Sequence, residues 1–470
     1  MHRHAGTRPI ATTRPRALLL PQTRVTPRLP RPRGPLRGLF LRAAGGTWPG
    51  FGGRCMRILF AFENPLPNAE ADAEVFVTTA KYLRPFTAGS WLHAPVAKTS
   101  TVEAVSTLAG MEIVRAWAPL APAALRHFCA GLTIVLRSAF RQADLIYTRN
   151  LWVAFMSLLF GQRVVFDHYR PWPDQIPPLQ YFLYRMFCHS RFLGSICHSE
   201  YTRQKYIELG VPPEKLLCVH NGFEPARFAT SIPVAEAKTL IGVPVEAKTV
   251  VYTGRINHKK GLELVVEAAK RLPELTFLLV GSYGAGSIER LAVNVPNIRI
   301  IPWQSEPELS RYVFAADVLL IPPSLSPLAQ FGSTVLPLKL FFYLGSGRPI
   351  LAGNTPDVAE VLKAGETAYL CQPDSTDALV EGLTRLTSEP DLAAHLAANA
   401  AADSRNYTWA ARAAKIAAII AAWRQGVPAG QGGWGAKQSR IWRAESRRWF
   451  VHFARTRAVI LPPEAAPGAE

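Results

Sequence analysis

Short apolar runs recur along the chain, each followed by a longer segment whose apolar positions return every three or four residues. From Met56 onward, RILFAFE (57–63), WLHAPV (91–96), MEIVRAW (111–117), DLIYTRN (144–150), RVVFDHY (163–169), GSICHS (194–199) and KLLCVHNG (215–222) predict strands. Segments such as AEVFVTTAKYL and EYTRQKYIELG predict the helices between them. Strands that are apolar throughout, rather than alternating, need cover on both faces, which is the signature of a parallel sheet carrying helices on each side. After the turn signal Asn221-Gly222 an irregular polar stretch runs to about residue 247. The alternation then restarts with TVVYTG (249–254), LTFLLVGS (275–282), NIRIIPW (297–303), DVLLIPP (317–323), RPILAGN (348–354) and TAYLCQP (367–373). Two α/β domains joined by a linker at 223–247 follow from this pattern.

Composition changes the picture in two places. The 470 residues carry a net charge of +19, which by itself suggests a nucleic-acid partner. That charge sits mostly at the ends: residues 1–55 contribute +11 and residues 425–470 contribute +4, leaving +4 for residues 56–424. A body so nearly neutral argues against nucleic acid as the partner. The six cysteines form no C-x-x-C pair, and several lie inside apolar runs, as expected of reduced thiols in a cytoplasmic protein. The most apolar run, LWVAFMSLLF (151–160), is stopped by Gly161, Gln162 and Arg163 before it reaches membrane-spanning length.

The first 55 residues are rich in Arg and Pro and show no amphipathic period, and their LLL is too short for a signal-peptide core. Met56 opens the first strand directly. Translation is therefore expected to begin at Met56, with 1–55 a disordered leader or start-site artefact. An N-terminal peptide from the native source that begins before residue 50 would refute this.

In open parallel sheets ligands bind outside the carboxyl ends of the strands, where Gly254, Arg255, Gly281 and Pro323 should lie. The stretch YTGRINHKKG (252–261) concentrates positive charge between a strand and a helix start. Helix N-termini favour anions, and Arg255 with Lys260 raises that preference to suit a diphosphate. The alternative for such residues is a set of solvated surface charges.

The order of segments carries more than any one of them. YTGRINHKKGLELVVEAAKRLPELTFLLVGSYG, then NIRIIPWQSEPELSRYVFAADVLLIPPS, then LPLKLFFYLGSGRPILA, then YTWAARAAKIAAIIAAW resembles the retaining GT-B glycosyltransferases of family 4. HSEYTRQKYIELGVPPEKLLCVHNGFEPARF is also similar to that family, and the resemblance spans 56–424, more strongly after Ser199. It implies an α/β GT-B fold, two Rossmann-like domains with parallel sheets facing a central cleft. It further implies transfer of a sugar, with retention, from a nucleoside diphosphate sugar to a glycan or lipid-linked acceptor, with no metal and no other cofactor. In this family the Arg and Lys of G-R-x4-K-G hold the diphosphate, which assigns that role to Arg255 and Lys260 beside Gly254 and Gly281.

This sequence departs from the family in two places. The second Glu of the family's Glu-x7-Glu element falls on Phe342, and the first on Thr334. A phenyl ring cannot accept hydrogen bonds from a ribose, and plain packing of Phe342 is the competing reading. Ser333, Thr334 and Val335 could still offer backbone N–H groups to the diphosphate ahead of Pro337, with Lys339 adding charge or, as the alternative, lying on a solvated face. The family's Gly-Gly loop after the first strand is absent from ENPLPNAEADAEVF (63–76). Asp167-His168 stands where relatives often carry a His near the transferred sugar, so His168 is a candidate sugar contact, with a capped loop histidine as the alternative. Glu224 and Arg227 are expected at the hinge.

The remaining expectations concern organisation and partners. Residues 56–222 form the acceptor domain, 248–405 the nucleotide-sugar domain, 406–424 a helix crossing back to the first domain, and 425–470 a basic aromatic tail. Segments 124–142 and 179–193, and the tail with its three Trp and seven basic groups between 434 and 457, suggest an anionic membrane surface and a peripheral place at the inner face of the plasma membrane. The rival functional reading is a non-catalytic or regulatory GT-B protein, motivated by Phe342, Thr334 and the missing glycines.

Overall fold

The computed structural model describes residues 56–426, apart from 69, 118, 120, 121, 169–179, 230, 285 and 326–335. Among the described residues, β1 (Arg57–Ala61), β2 (Gly89–Ala94), β3 (Glu112–Arg115), β4 (Leu145–Thr148), β5 (Val164–His168), β6 (Phe192–Cys197) and β7 (Leu216–Cys218) form one sheet. A second sheet contains β8 (Lys248–Thr253), β9 (Leu275–Ser282), β10 (Ile298–Pro302), β11 (Val318–Ile321), β12 (Ile350–Gly353) and β13 (Tyr369–Cys371). Every strand pair is parallel. The apolar runs are buried on both faces, as in β4, β5 and β6, where each residue is inaccessible to solvent.

The strand orders are β3-β2-β1-β4-β5-β6-β7 and β10-β9-β8-β11-β12-β13. In each sheet the order reverses once, between β1 and β4 and between β8 and β11. The helices on either side of such a switch point diverge and leave a crevice at the strands' carboxyl ends. The loops after β1, β4, β8 and β11 are therefore the ones placed to bind a ligand.

The two domains are joined twice, side by side. Phe223 N–H donates to Tyr407 O (2.9 Å) and Trp409 N–H to Phe223 O (3.2 Å), and a Cβ on Gly222 would meet Thr408 C at 2.7 Å. The last helix, Trp409–Gly426, then packs on the first domain. Ala413, Ile416 and Ile420 enter the core built around β1 and β2, and Trp423 lies so close to β6 that a Cβ on Gly194 would meet its ring at 2.4 Å. Gly194 is small because another helix must reach the strand's backbone.

The segment 223–247 differs from the irregular linker read from its polarity. It contains the helix Val234–Leu240, whose Ala237 is buried with Phe314 and Ala315 of the second domain. Lys238, buried on that helix, reaches Asp317 Oδ2 at 2.7 Å and the carbonyls of Val245 and Ala247. A buried lysine needs such partners, and sequence polarity does not reveal them. No described helix is long and apolar enough to cross a membrane.

Candidate active site

β8 ends at Thr253, and the next two turns of chain hold Gly254, Arg255 and the short 3-10 turn His258–Lys260, which leads into the helix Leu262–Arg271. Three glycines make this corner. Gly254 and Gly281 have φ of +124° and +123°, and a Cβ on Gly281 would meet Gly254 O at 2.4 Å. Their backbones touch because neither carries a side chain. Gly261, at φ +67°, is the N-cap of the helix, and a Cβ there would meet Ser324 Cβ at 2.2 Å. As a glycine, Gly261 has no side chain with which to cap the first N–H groups of that helix. Tyr252 Oη–H donates to Arg255 O (3.0 Å) and braces the turn.

Three cations collect here. Lys260 is held below the ordinary lysine pKa by partial desolvation and by the charge of Arg255. Burial pushes Lys339 well below it, with the charge of Lys260 adding to the effect. Lys339 Nζ lies 3.5 Å from the Tyr252 ring centroid, over the ring face. Among the described residues neither Lys260 nor Lys339 forms an ion pair. Arg255 has one: its Nη2 is 3.6 Å from Glu70 Oε1, across the crevice at the start of the helix Ala71–Leu83. The pair is exposed and worth little, but it shows the guanidinium facing the first domain. Arg255 Cζ also lies 5.5 Å from the ring centroid of the exposed Tyr283. Three like charges with so little compensation favour a polyanion, and binding one would reverse the pKa depressions on both lysines. Arg255, Lys260, Gly254 and Gly281 are thus brought together. Ser333, Thr334 and Val335 lie outside the described residues.

Lys339 joins this cluster from the helix Leu338–Leu344, far along the sequence. Tyr343 of the same helix accepts at Oη from Thr253 N–H (2.8 Å) and fixes the helix to the end of β8. The signal in the sequence was the position of Lys339 in LPLKLFFYLGSG, which periodicity could not connect to Lys260.

Phe342 is 5% exposed and stacks on Phe228 at 4.8 Å with a 22° interplanar angle. Arg227 Cζ stands 5.4 Å from its ring centroid. A carboxylate at 342 would sit in an apolar cluster that includes Phe223 and Phe314. Phe342 is a packing residue of the second domain. Glu224 accepts a hydrogen bond from Tyr82 of the first domain, and Arg227 pairs with Glu306 and with Glu74 (3.8 Å), so both residues do stand where the domains meet.

His168 is placed differently from the expectation of a sugar contact. Its imidazole is fully buried among Phe166, Phe187 and Tyr206, with centroid distances of 4.6, 5.2 and 4.2 Å. Burial lowers its pKa to about 3, so the ring is neutral. At the end of a strand side chains alternate between faces, and His168 takes the face that points into the helices. Its neighbour Asp167 takes the other face and enters a buried network that the sequence reading missed. Asp167 Oδ1 is 2.5 Å from His198 Nε2 and Oδ2 is 3.2 Å from Arg149 Nη2. Burial would raise the Asp167 carboxyl, but His198, Arg149 and Arg412 together hold it well below the usual carboxylate range. The sequence signal was a polar pair at the ends of adjacent apolar runs, VVFDH and GSICHS.

Glu63, just beyond β1, was also missed. It is 9% exposed, and burial raises its pKa to about 7 against the pull of Arg149.

Residues 236–403 match the model of the family described as glycosyl transferases group 1. The D-inositol 3-phosphate glycosyltransferase of Streptomyces scabiei is 27% identical over 227 residues, 45% of this chain and 49% of its own. The putative colanic acid biosynthesis glycosyl transferase WcaI of Escherichia coli is 30% identical over 189 residues, 38% of this chain and 46% of its own. The chain thus spans about half the length of the curated relatives it matches. Among solved structures, Anabaena Alr3699/HepE in complex with UDP and glucose superposes with a TM-score of 0.62 at 16% identity, covering 78% of this chain and all of that one. Sucrose-phosphate synthase of Thermosynechococcus elongatus gives 0.64 at 16% identity, covering 79% of this chain and all of that one. The fold is the GT-B fold, and Arg255, Lys260 and Lys339 all lie in the part of its second domain that matches the glycosyl transferases group 1 model.

Proposed function

We infer that this protein is a glycosyltransferase that moves a sugar from a nucleoside diphosphate sugar to a glycan or lipid-linked acceptor, with retention at the anomeric carbon. The observation that carries this is the cluster of Arg255, Lys260 and Lys339 against the touching backbones of Gly254 and Gly281, at the switch point of the second sheet. As the glycosidic bond breaks, negative charge grows on the diphosphate. Fixed cations at that place stabilise the transition state more than the bound donor. Arg255 and Lys260 are the residues assigned to this work, with Lys339 as the third cation. Backbone N–H groups of Ser333, Thr334 and Val335 complete the diphosphate site in this reading. The exposed Tyr283 and Trp303, joined through the Trp303 N–H to Ser282 O bond of 2.9 Å, suit stacking against the donor base. The transfer takes no divalent ion and no other cofactor. The UDP complexes of Anabaena HepE support a nucleotide donor.

Two features support a lipid-linked acceptor and a cytoplasmic, peripheral place at the inner membrane face. The helix Ala123–Ile134 exposes Leu125, Phe128 and Leu132, three and four residues apart, with the exposed Leu136 just beyond it. Arg126, Arg137 and Arg141 lie along the same stretch, a pattern that suits anionic headgroups above an apolar layer. The name of the E. coli relative, colanic acid biosynthesis, supports surface polysaccharide as the product class.

Thermal-shift measurement of the full chain with UDP-, GDP- and ADP-sugars tests the donor. One series should stabilise the protein by about 2.7 kcal/mol at a hundredfold excess over its dissociation constant. Lack of a shift with every series would overturn the reading. The burial of Phe342 favours the rival, a non-catalytic GT-B protein; glycan product that disappears in Arg255→Ala decides for the enzyme.

A further inference from the structure

Away from the cation corner, three side chains from two domains converge. Cys218 ends β7 of the first domain and His220 follows two residues later. Glu360 comes from the 3-10 turn Val358–Glu360 of the second domain. Cys218 Sγ is 3.8 Å from His220 Nε2, and His220 Nε2 is 3.0 Å from Glu360 Oε2. All three ligand atoms lie within 4.8 Å of one another.

We propose that Cys218, His220 and Glu360 hold a divalent zinc-like ion that clasps the two domains together. Thiolate, imidazole and carboxylate are the donors zinc takes, at bond lengths of about 2.0–2.3 Å. Tetrahedral placement at those lengths separates the donor atoms by roughly 3.4–3.6 Å, and the two observed separations fall on either side of that range. The side chains of His220 and Glu360 are 20% and 15% exposed, so the pocket is shielded yet open to an entering ion and to a water as fourth ligand.

The surroundings orient the ligands. Glu360 Oε2 accepts from Glu200 N–H at 2.8 Å and Oε1 from Tyr201 N–H at 3.1 Å, both at the start of the helix Glu200–Glu208. A carboxylate has about four acceptor positions, so these two bonds fix the group and leave a lone pair for the metal. Partners of this kind are what hold metal ligands in place. His220 O accepts from Arg412 Nη1 at 3.0 Å, which fixes the backbone of that ligand. On binding, the Cys218 thiol loses its proton to solvent and the imidazole carries its remaining proton on Nδ1. Thiolate and carboxylate then balance the two positive charges of the ion. Since ligands come from both domains, the ion sets their relative placement. The site is structural and independent of the proposed donor site.

Cobalt(II) added to the metal-free full chain tests this directly. The expected result is a thiolate-to-cobalt charge-transfer band, displaced by zinc, with zinc also raising the melting temperature. Cys218→Ser should lose the band and the zinc-dependent shift while keeping the melting temperature of the metal-free protein. No band in the parent chain, or a band that survives in Cys218→Ser, overturns the proposal. Glu360 caps a helix, so Glu360→Gln is read by cobalt affinity alone, with a drop of at least tenfold expected; unchanged affinity overturns the role of Glu360.

Discussion

Arg412 Nη2 lies 3.6 Å from Asp167 Oδ1, and both side chains are almost completely removed from solvent. Arg412 comes from the last helix and Asp167 from β5, so this contact seals the end of the chain onto the first domain. The same guanidinium lies 3.3 Å from His198 Nε2 and 3.3 Å from Thr79 Oγ1, and donates to the carbonyl of Val219. Asp167 keeps Arg149 and His198 as partners when Arg412 is removed, but the Val219 carbonyl and Thr79 lose their buried donor, which costs about 1–3 kcal/mol. Arg412→Ala should lose that much stability in urea denaturation.

The cation corner predicts a division of effects. Arg255→Ala and Lys260→Ala should each lower kcat by about a hundredfold to a thousandfold, as removal of a fixed transition-state donor does, while leaving the melting temperature unchanged, because both side chains are exposed. Equal loss of stability and rate would assign them to structure instead.

Gly281→Ala should act on the same site through the backbone. The added Cβ would meet Gly254 O at 2.4 Å in a residue with φ of +123°, so β8 and β9 must separate at their ends. Weakened nucleotide binding with a melting temperature lowered by several degrees is expected. Gly347→Ala, at φ +69° with nothing within 4 Å of its Cβ, serves as a control for backbone strain alone.

Phe342→Glu should not restore a family-like site. It removes the stack on Phe228 and puts a carboxyl into an apolar cluster, a change worth about 2 kcal/mol or more in lost stability. Nucleotide affinity should stay the same or fall; a tenfold gain would show that the position still faces the donor.

Two opposed titrations shape stability below neutral pH. Glu63 has a folded pKa of about 7 against 4.5, so between those values the unfolded chain has lost a proton that the folded chain keeps. Stability therefore drops as pH rises through that window. His168 and His198, at about 3 and 4 against 6.5, refuse protons that the unfolded chain accepts, so stability drops as pH falls below about 6.5. Glu63→Gln should remove the loss between about pH 4.5 and 7 and raise stability at pH 8 by roughly 3 kcal/mol, and a pH series of denaturation curves checks it.

The sequence by itself determined the strands and their order of appearance, because burial on both faces writes a continuous apolar run that can be read locally. RILFAFE became β1 and LTFLLVGS became β9 within a residue or two. It also marked Gly254, Arg255, Gly281 and Lys260, since they stand beside strand ends. Tertiary structure alone decided what depends on contacts between distant segments. Lys339 meets Lys260 only once the second sheet is folded, and Lys238 in the polar stretch before β8 finds Asp317 across that domain. His168 and Asp167 are adjacent in sequence, yet one is packed among aromatic rings and the other among arginines. Cys218, His220 and Glu360 share a site through the closure of two domains. Period and composition record which residues are buried; they carry no record of which buried or clustered groups face one another.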